Sequence, residues 1–224
     1  MNQNLKLSNE CNLELMSRYP DNYFEVGLVD PPYGIKETWS KSKTDRFYKK
    51  GKLHKYTNSE IPSSEYFKEL FRVTKNQIIW GGNYFTDYLE PRNSWIIWDK
   101  KHSSKSFMSM AELAWTSYNK ATKIARFTWD GARKCEQVDK WHPHQKPIKL
   151  YEWVIHNYLN PGDKILDTHL GSMAICIAVE NINKKFGWDL SLTGCEIDSE
   201  YFKNSLSKIN NYNSIQIMKF DETA

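Results

Sequence analysis

Short apolar runs of strand length alternate along the chain with segments whose apolar residues recur at helical spacing, and polar turn clusters separate them. Cys11 to Arg18 reads as a short helix closed by the turn cluster Tyr19-Pro20-Asp21-Asn22. Phe24 to Val29 reads as a buried strand running straight into Asp30-Pro31-Pro32-Tyr33-Gly34, whose prolines forbid continuation of any regular element. Ser63 or Ser64 is placed to cap a helix with Tyr66, Phe67, Leu70, Phe71 and Val73 on its apolar side. Gln77 to Trp80 is strand-like, Gly81-Gly82 breaks it, and a short helix is expected near Tyr84 to Leu89. Further strands are expected at Ser94 to Trp98, Leu113 to Ser117 and Ile124 to Trp129.

The last third repeats the rhythm more plainly. Pro147 suits the first turn of a helix carrying Leu150, Trp153, Val154 and Tyr158, and Pro161-Gly162-Asp163 turns the chain into a strand at Lys164 to Leu166. Gly171-Ser172 then opens a helix through Glu180, Leu192 to Ile197 makes a strand, and Tyr201 to Ile209 a closing helix. No internal repeat interrupts the pattern, which predicts an α/β fold with a mostly parallel central sheet. Such sheets hold small ligands at their carboxyl edge, where a strand opens through a glycine loop onto a helix.

Composition narrows the class. The 224 residues suffice for one domain with its own core, and 40% hydrophobic, 14% aromatic and nine Trp exclude a disordered chain. The longest uncharged apolar run, Met173 to Val179, has seven residues, and the first residues carry no apolar signal core, so a cytoplasmic protein away from membranes is expected. Net charge is +4, unevenly spread: Lys36 to Lys55 carries eight basic against two acidic residues, a net of +6, and the remainder sums to −2. Trp39, Phe47, Tyr48 and Tyr56 interleave those charges, a composition suited to phosphates and exposed bases. By composition residues 36–62 read either as a solvated, mobile loop or as a basic DNA-contacting loop, with Lys41, Lys43, Arg46, Lys49, Lys50 and Lys52 as its contacts.

Asp30-Pro31-Pro32-Tyr33 has the chemistry to hold an exocyclic amine. The Asp30 carboxylate and the Pro31 carbonyl, fixed by two proline φ angles, can both accept hydrogen bonds from one NH2 group. The amino nitrogen of adenine or cytosine is conjugated with its ring and is a poor nucleophile. Two acceptors in tetrahedral directions favour its pyramidal form and stabilise the positive charge that develops as a methyl group arrives. Tyr33 would stack on the base, which must leave the duplex to be reached in line. The four cysteines include no Cys-x-x-Cys pair, and Cys135, His142 and His144 lack a fourth ligand at ordinary spacing, so neither disulfides nor a metal are expected.

Three elements in order resemble the amino-group DNA methyltransferases that use S-adenosylmethionine. These are Asp30-Pro31-Pro32-Tyr33, then His142-Pro143-His144-Gln145-Lys146-Pro147, similar to the family's His-Pro-Thr-Gln-Lys-Pro, then Ile165-Leu166-Asp167 through Gly171-Ser172. Gly194-Cys195-Glu196-Ile197-Asp198 matches the family's acidic strand end, with Tyr201 as the aromatic that follows. The likeness runs from about Cys11 to Tyr201, and it is to the permuted (beta-type) arrangement, catalytic half before cofactor half, as in short phage and prophage adenine methyltransferases. It implies a Rossmann-like methyltransferase fold spanning residues 1–224 as a single domain. It also implies S-adenosylmethionine as cofactor, DNA as partner and, by the habit of the family, a homodimer.

Carried onto this chain, the resemblance makes Asp30, Pro31, Pro32 and Tyr33 catalytic. Asp167, His169, Gly171 and Ser172 would approach the cofactor, Glu196 would accept from its ribose hydroxyls beside Asp198, and Lys146 would meet its carboxylate. An Asp opening the tetrapeptide goes with adenine N6 in this family, and a Ser with cytosine N4. Cytosine N4 methylation and an inactive DNA-binding relative are the alternatives; methylation of RNA or of a protein glutamine is disfavoured by the permuted order. The family's Asp-Pro-Phe-x-Gly-Ser-Gly is here Asp167-Thr168-His169-Leu170-Gly171-Ser172-Met173, with His169 in place of an aromatic and Met173 in place of the second glycine. Only about two dozen residues separate the strand near Ser117 from the His-Pro segment, so short or relaxed sequence specificity is expected, with Lys120 to Lys140 adding DNA contacts.

Overall fold

A computed structural model describes residues 4–35, 60–102, 109–130, 133–136, 140–142 and 144–221. Among these, ten strands and five α-helices follow one another as β1 (Leu5–Ser8), α1 (Asn12–Ser17), β2 (Phe24–Val29), α2 (Ser64–Val73), β3 (Thr74–Trp80), β4 (Trp95–Asp99), β5 (Ala111–Thr116), β6 (Lys123–Arg126), β7 (Trp129–Asp130), β8 (Arg133–Lys134), α3 (Ile148–Tyr158), β9 (Lys164–Asp167), α4 (Ala174–Phe186), β10 (Ser191–Cys195) and α5 (Ser199–Asp221). Eight strands form one sheet in the order β1-β10-β9-β2-β3-β5-β4-β6. Pairing is parallel from β1 through β3 and between β4 and β6, and antiparallel where β5 meets β3 and β4. The α/β architecture with a mostly parallel sheet, expected from the sequence, is the one observed.

The apolar runs form central strands because both of their faces are covered. Leu28, Ile78 and Ile165 point into one core with α3 and α4, while their neighbours Val29, Ile79 and Leu166 point into the other with α1 and α2. Ser63 caps α2, its Oγ accepting from the Tyr66 N–H at 3.4 Å, and Tyr66, Phe67, Leu70 and Val73 are buried beneath it. No helix among the described residues is long and apolar enough to cross a membrane.

Several boundaries differ from the sequence reading, each for a local reason. β1 has no counterpart in that reading, since Leu5-Lys6-Leu7-Ser8 is too short to signal alone and is held by its ladder to β10. The helix expected near Tyr84 to Leu89 is a single 3-10 turn at Gly82–Tyr84, entered through Gly81 at φ 71°. The strand expected through Trp129 stops at Arg126, and Trp129–Asp130 pairs instead with Arg133–Lys134. Pro147 stands one position ahead of α3 as its N-cap, and Glu136 receives the orphan N–H groups of Ile148 and Lys149 at 2.8 and 3.1 Å. The basic segment, with Lys41, Lys43, Arg46, Lys49, Lys50 and Lys52, lies outside the described residues.

Candidate active site

Parallel strands β2, β9 and β10 end at one edge of the sheet, and each delivers an acidic side chain there: Asp30, Asp167 and Glu196. The register Val26↔Ile165 and Gly27↔Leu166 sets the tetrapeptide directly beside the loop that follows β9. A cleft at this edge is lined by Pro32 from the tetrapeptide, Thr168 and His169 from the loop after β9, Glu196 and Ile197 from the end of β10, and Glu10 and Asn12 near α1. Elements far apart in the sequence therefore share one wall.

Both oxygens of the Asp30 carboxylate are engaged. Oδ1 accepts from the Tyr33 hydroxyl at 2.6 Å and Oδ2 from the Lys146 ammonium. Lys146 also approaches the Tyr33 hydroxyl at 3.3 Å and a second carboxylate, that of Glu112, at 3.3 Å, and Lys100 donates to Glu112 at 2.5 Å. Burial opposes a charge on Lys146, yet Asp30 and Glu112 outweigh it and its pKa is raised. Burial likewise pushes the Glu112 carboxyl up, but Lys146 and Lys100 outweigh it and hold the pKa at about 2. The Tyr33 ring stacks on Tyr84 with centroids 5.1 Å apart and planes at 13°, and it packs on Gly81, where any Cβ would collide with it.

Along the cleft wall, Glu196 accepts from the Gly171 N–H and the Asp198 N–H, both at 2.9 Å, which ties the loop after β9 to the end of β10. Asp198 caps α5, its Oδ1 accepting from the N–H groups of Glu200 and Tyr201 at 2.9 and 3.0 Å. Ser172 accepts from the Ala174 N–H through Oγ at 3.3 Å, and its carbonyl accepts from the Trp141 indole at 2.9 Å. Tyr66, Thr168, His169 and Asn12 form a hydrogen-bonded chain at 2.8, 2.9 and 3.2 Å, which fixes the ring of His169 in the cleft wall. Burial lowers the pKa of His169 to about 3, so the imidazole is neutral. Burial, with Asp30 and Glu196 nearby, raises the Asp167 carboxyl to about 7 against one backbone bond from the His169 N–H that lowers it. Glu196 and a neutral histidine in the cleft wall, with the Asp167 carboxyl close by, suit a ligand that carries positive charge and hydroxyl groups.

The structure brings Asp30, Pro32, Tyr33, Asp167, His169, Gly171 and Glu196 to one edge, with Pro31 buried beside Asp30. Lys146 is taken up by Asp30 and Glu112, and Asp198 and Ser172 have capping and loop bonds. Sequence reasoning misses Glu112, Lys100 and Tyr84 around Asp30, and Glu10, Asn12, Thr168 and Ile197 in the cleft. Ile197, expected inside a strand, lies just past β10, 53% exposed, as apolar surface facing the cleft. Among the described residues no cluster of three His, Cys, Asp or Glu side chains is arranged to hold a metal, and His142, with its pKa lowered by burial to about 3, packs edge-on against Tyr201 at 4.4 Å.

Comparison with known proteins gives relatives of the chain and its family. The chain is 27% identical over 162 residues to the type II methyltransferase M2.DpnII of Streptococcus pneumoniae, covering 68% of this chain and 56% of that protein. It is 23% identical over 260 residues to the type II methyltransferase M.HpaI of Haemophilus parainfluenzae, covering 96% and 78%. The chain thus spans little more than half the length of the first of these relatives. Two solved structures share the fold: M1.HpyAVI with S-adenosylmethionine, at TM-score 0.54 and 16% identity over 91% of this chain and 99% of that one, and the cytosine-N4-specific PvuII DNA methyltransferase, at TM-score 0.58 and 13% identity over 91% and 86%. A family profile described as DNA methylase, covering N6 and N4 enzymes, matches residues 66–207, more than half of the chain. The chain belongs to this N6/N4 family of DNA methylases.

Proposed function

We propose that the protein transfers a methyl group from S-adenosylmethionine to the exocyclic N6 of an adenine flipped out of DNA, with short or relaxed sequence specificity, in the permuted arrangement of the family. The observation that carries this reading is Pro32, a residue of the tetrapeptide that also lines the cleft with His169 and Glu196. It sets the amine acceptors and the methyl donor's cleft on either side of one proline. The cofactor supplies an electrophilic methyl on a sulfonium, which leaves as a neutral thioether when the C–S bond breaks.

The residues of this chain do the rest. Asp30 and the Pro31 carbonyl accept from the two amine hydrogens, so the nitrogen lone pair points at the methyl carbon, and Asp30 lies against the positive charge that develops on nitrogen. Once the N–C bond has formed, the nitrogen sheds a proton, and Asp30 is the base next to it. Glu196, already oriented by two backbone donors, keeps lone pairs free for the ribose hydroxyls, and Asp167 faces the cationic methionine end. The basic segment from Lys36 to Lys55, with DNA phosphates as its partners, belongs to this reading on its charge alone. A cytoplasmic setting and, by the habit of the family, a homodimer complete the reading.

Adenine rather than cytosine rests on the Asp at the head of the tetrapeptide. The test is direct: incubate the protein with DNA and methyl-labelled cofactor, digest to nucleosides and identify the labelled one. Label in N6-methyladenine supports the proposal, label in N4-methylcytosine replaces adenine by cytosine, and no label in DNA sinks the proposal.

A further inference from the structure

Lys146 presents a difficulty for the reaction just described. Its ammonium, 4% exposed, sits on the carboxylate that must stabilise positive charge on the target nitrogen. A buried cation in contact with Asp30 would cancel that carboxylate as the nitrogen turns cationic. The structure contains the remedy on a different strand. Glu112, on β5, reaches the same ammonium at 3.3 Å, and with it the cluster of Asp30, Lys146, Glu112 and Lys100 is neutral, where without it the sum would be +1. Lys100, just beyond β4, donates to the other oxygen of Glu112 at 2.5 Å and is more exposed than Lys146.

The geometry is selective. The antiparallel register Trp98↔Glu112 and Asp99↔Ala111 brings Glu112 across from the end of β4 and next to Lys100. Lys146 has three protons and three acceptors: Asp30, Glu112 and the Tyr33 hydroxyl. It also lies over the rings of Trp80 and Tyr33, at 5.2 and 5.8 Å from their centroids. Removing Glu112 leaves Asp30 as the one carboxylate paired with this buried lysine among the described residues.

We propose that Glu112 is a positioning residue for methyl transfer: it shares Lys146 with Asp30, so that the Asp30 carboxylate keeps its negative charge for the amine. The proposal rests on the function given above. In the step concerned, the nitrogen lone pair forms the new N–C bond while the C–S bond breaks, and sulfur keeps that electron pair. The nitrogen carries +1 until its proton leaves. Glu112 touches none of these atoms and acts through Lys146 alone.

The test compares wild type, Glu112→Gln and the double variant Glu112→Gln/Lys146→Met. It uses single-turnover methyl transfer at saturating DNA and cofactor, with calorimetric cofactor affinity measured beside it. Glu112→Gln is expected to lower the rate by roughly 10- to 100-fold, less than the loss of a direct transition-state donor, with KM for DNA and cofactor affinity within about twofold of wild type. Removing the lysine as well returns the cluster to its wild-type charge sum, and the double variant is expected to regain at least about fivefold over Glu112→Gln. Should Glu112→Gln fail to bind cofactor, Glu112→Asp, which keeps the charge, carries the test and is expected to hold a rate within about threefold of wild type. A Glu112→Gln enzyme at the wild-type rate, a double variant as slow as Glu112→Gln, or a cofactor-binding Glu112→Asp slowed more than tenfold would each overturn the role. Absence of transfer by wild type, seen first and separately, would overturn the function itself.

Discussion

The ammonium of Lys146 is bonded to the carboxylate of Asp30, 116 residues away in the chain, so the segment leading into α3 is fastened to the tetrapeptide after β2. Two of the sequence motifs that resemble the family are in this way one physical unit. Breaking a buried pair by removing one partner strands the other charge, at a cost of about 3–5 kcal/mol. Asp30 is 17% exposed and gains some relief from water, so Lys146→Met is expected to cost about 3 kcal/mol, at the lower end of that range. Denaturant titration checks it; a destabilisation below about 1 kcal/mol would contradict a tightly held buried pair.

The raised Asp167 carboxyl gives cofactor binding a pH signature. In the free protein it is largely protonated below its pKa of about 7, and a cation docked beside it favours the charged form, so binding expels a proton. Affinity should then rise roughly tenfold between pH 6 and pH 8, as the ionised fraction of a group titrating near 7 does. Calorimetry at pH 7 in two buffers of different ionisation enthalpy should show net proton release. A flat pH profile without release would place the cationic end of the cofactor elsewhere.

Met173 occupies a left-handed conformation at φ 57° as the N-cap of α4, and its side chain is fully buried. The family's glycine there would avoid roughly 1–2 kcal/mol of backbone strain, whereas deleting a buried Met side chain costs about 2–5 kcal/mol. Packing wins. Met173→Gly is expected to destabilise the protein by about 1–3 kcal/mol rather than improve it, as thermal or denaturant unfolding would show. A stabilised variant would mean that the strain outweighs the packing.

Much of the site is legible in the amino-acid sequence, because the strands that carry it are short apolar runs, each ending in an acidic residue. Asp30 stands after Val29, Asp167 after Leu166, and Glu196 after Cys195. Glu112 gives no such signal: it lies inside β5, and only the pairing of β4 with β5 sets it beside Lys100 and within reach of Lys146. The motif around Lys146 points it toward the cofactor carboxylate, while its partner is set by how the segment ahead of α3 folds over the sheet edge. β1 is invisible for the same reason, since its ladder to β10 joins residues almost the whole chain apart.

The basic segment enters through electrostatics alone. Replacing Lys49, Lys50 and Lys52 with Gln should weaken DNA binding and flatten the plot of log affinity against log salt by roughly 2–3 units, at about 0.9 for each phosphate no longer neutralised. An unchanged slope would leave those lysines out of the DNA interface.

Asp30 accepts from both the Tyr33 hydroxyl and the buried Lys146, and in the proposed mechanism methyl transfer turns on it. Asp30→Ala, assayed by single-turnover methyl transfer to DNA alongside calorimetric cofactor binding, should lose at least about 100-fold in transfer rate while cofactor affinity stays within a few-fold of wild type. Transfer at the wild-type rate would contradict the catalytic role of Asp30 and the mechanism built on it.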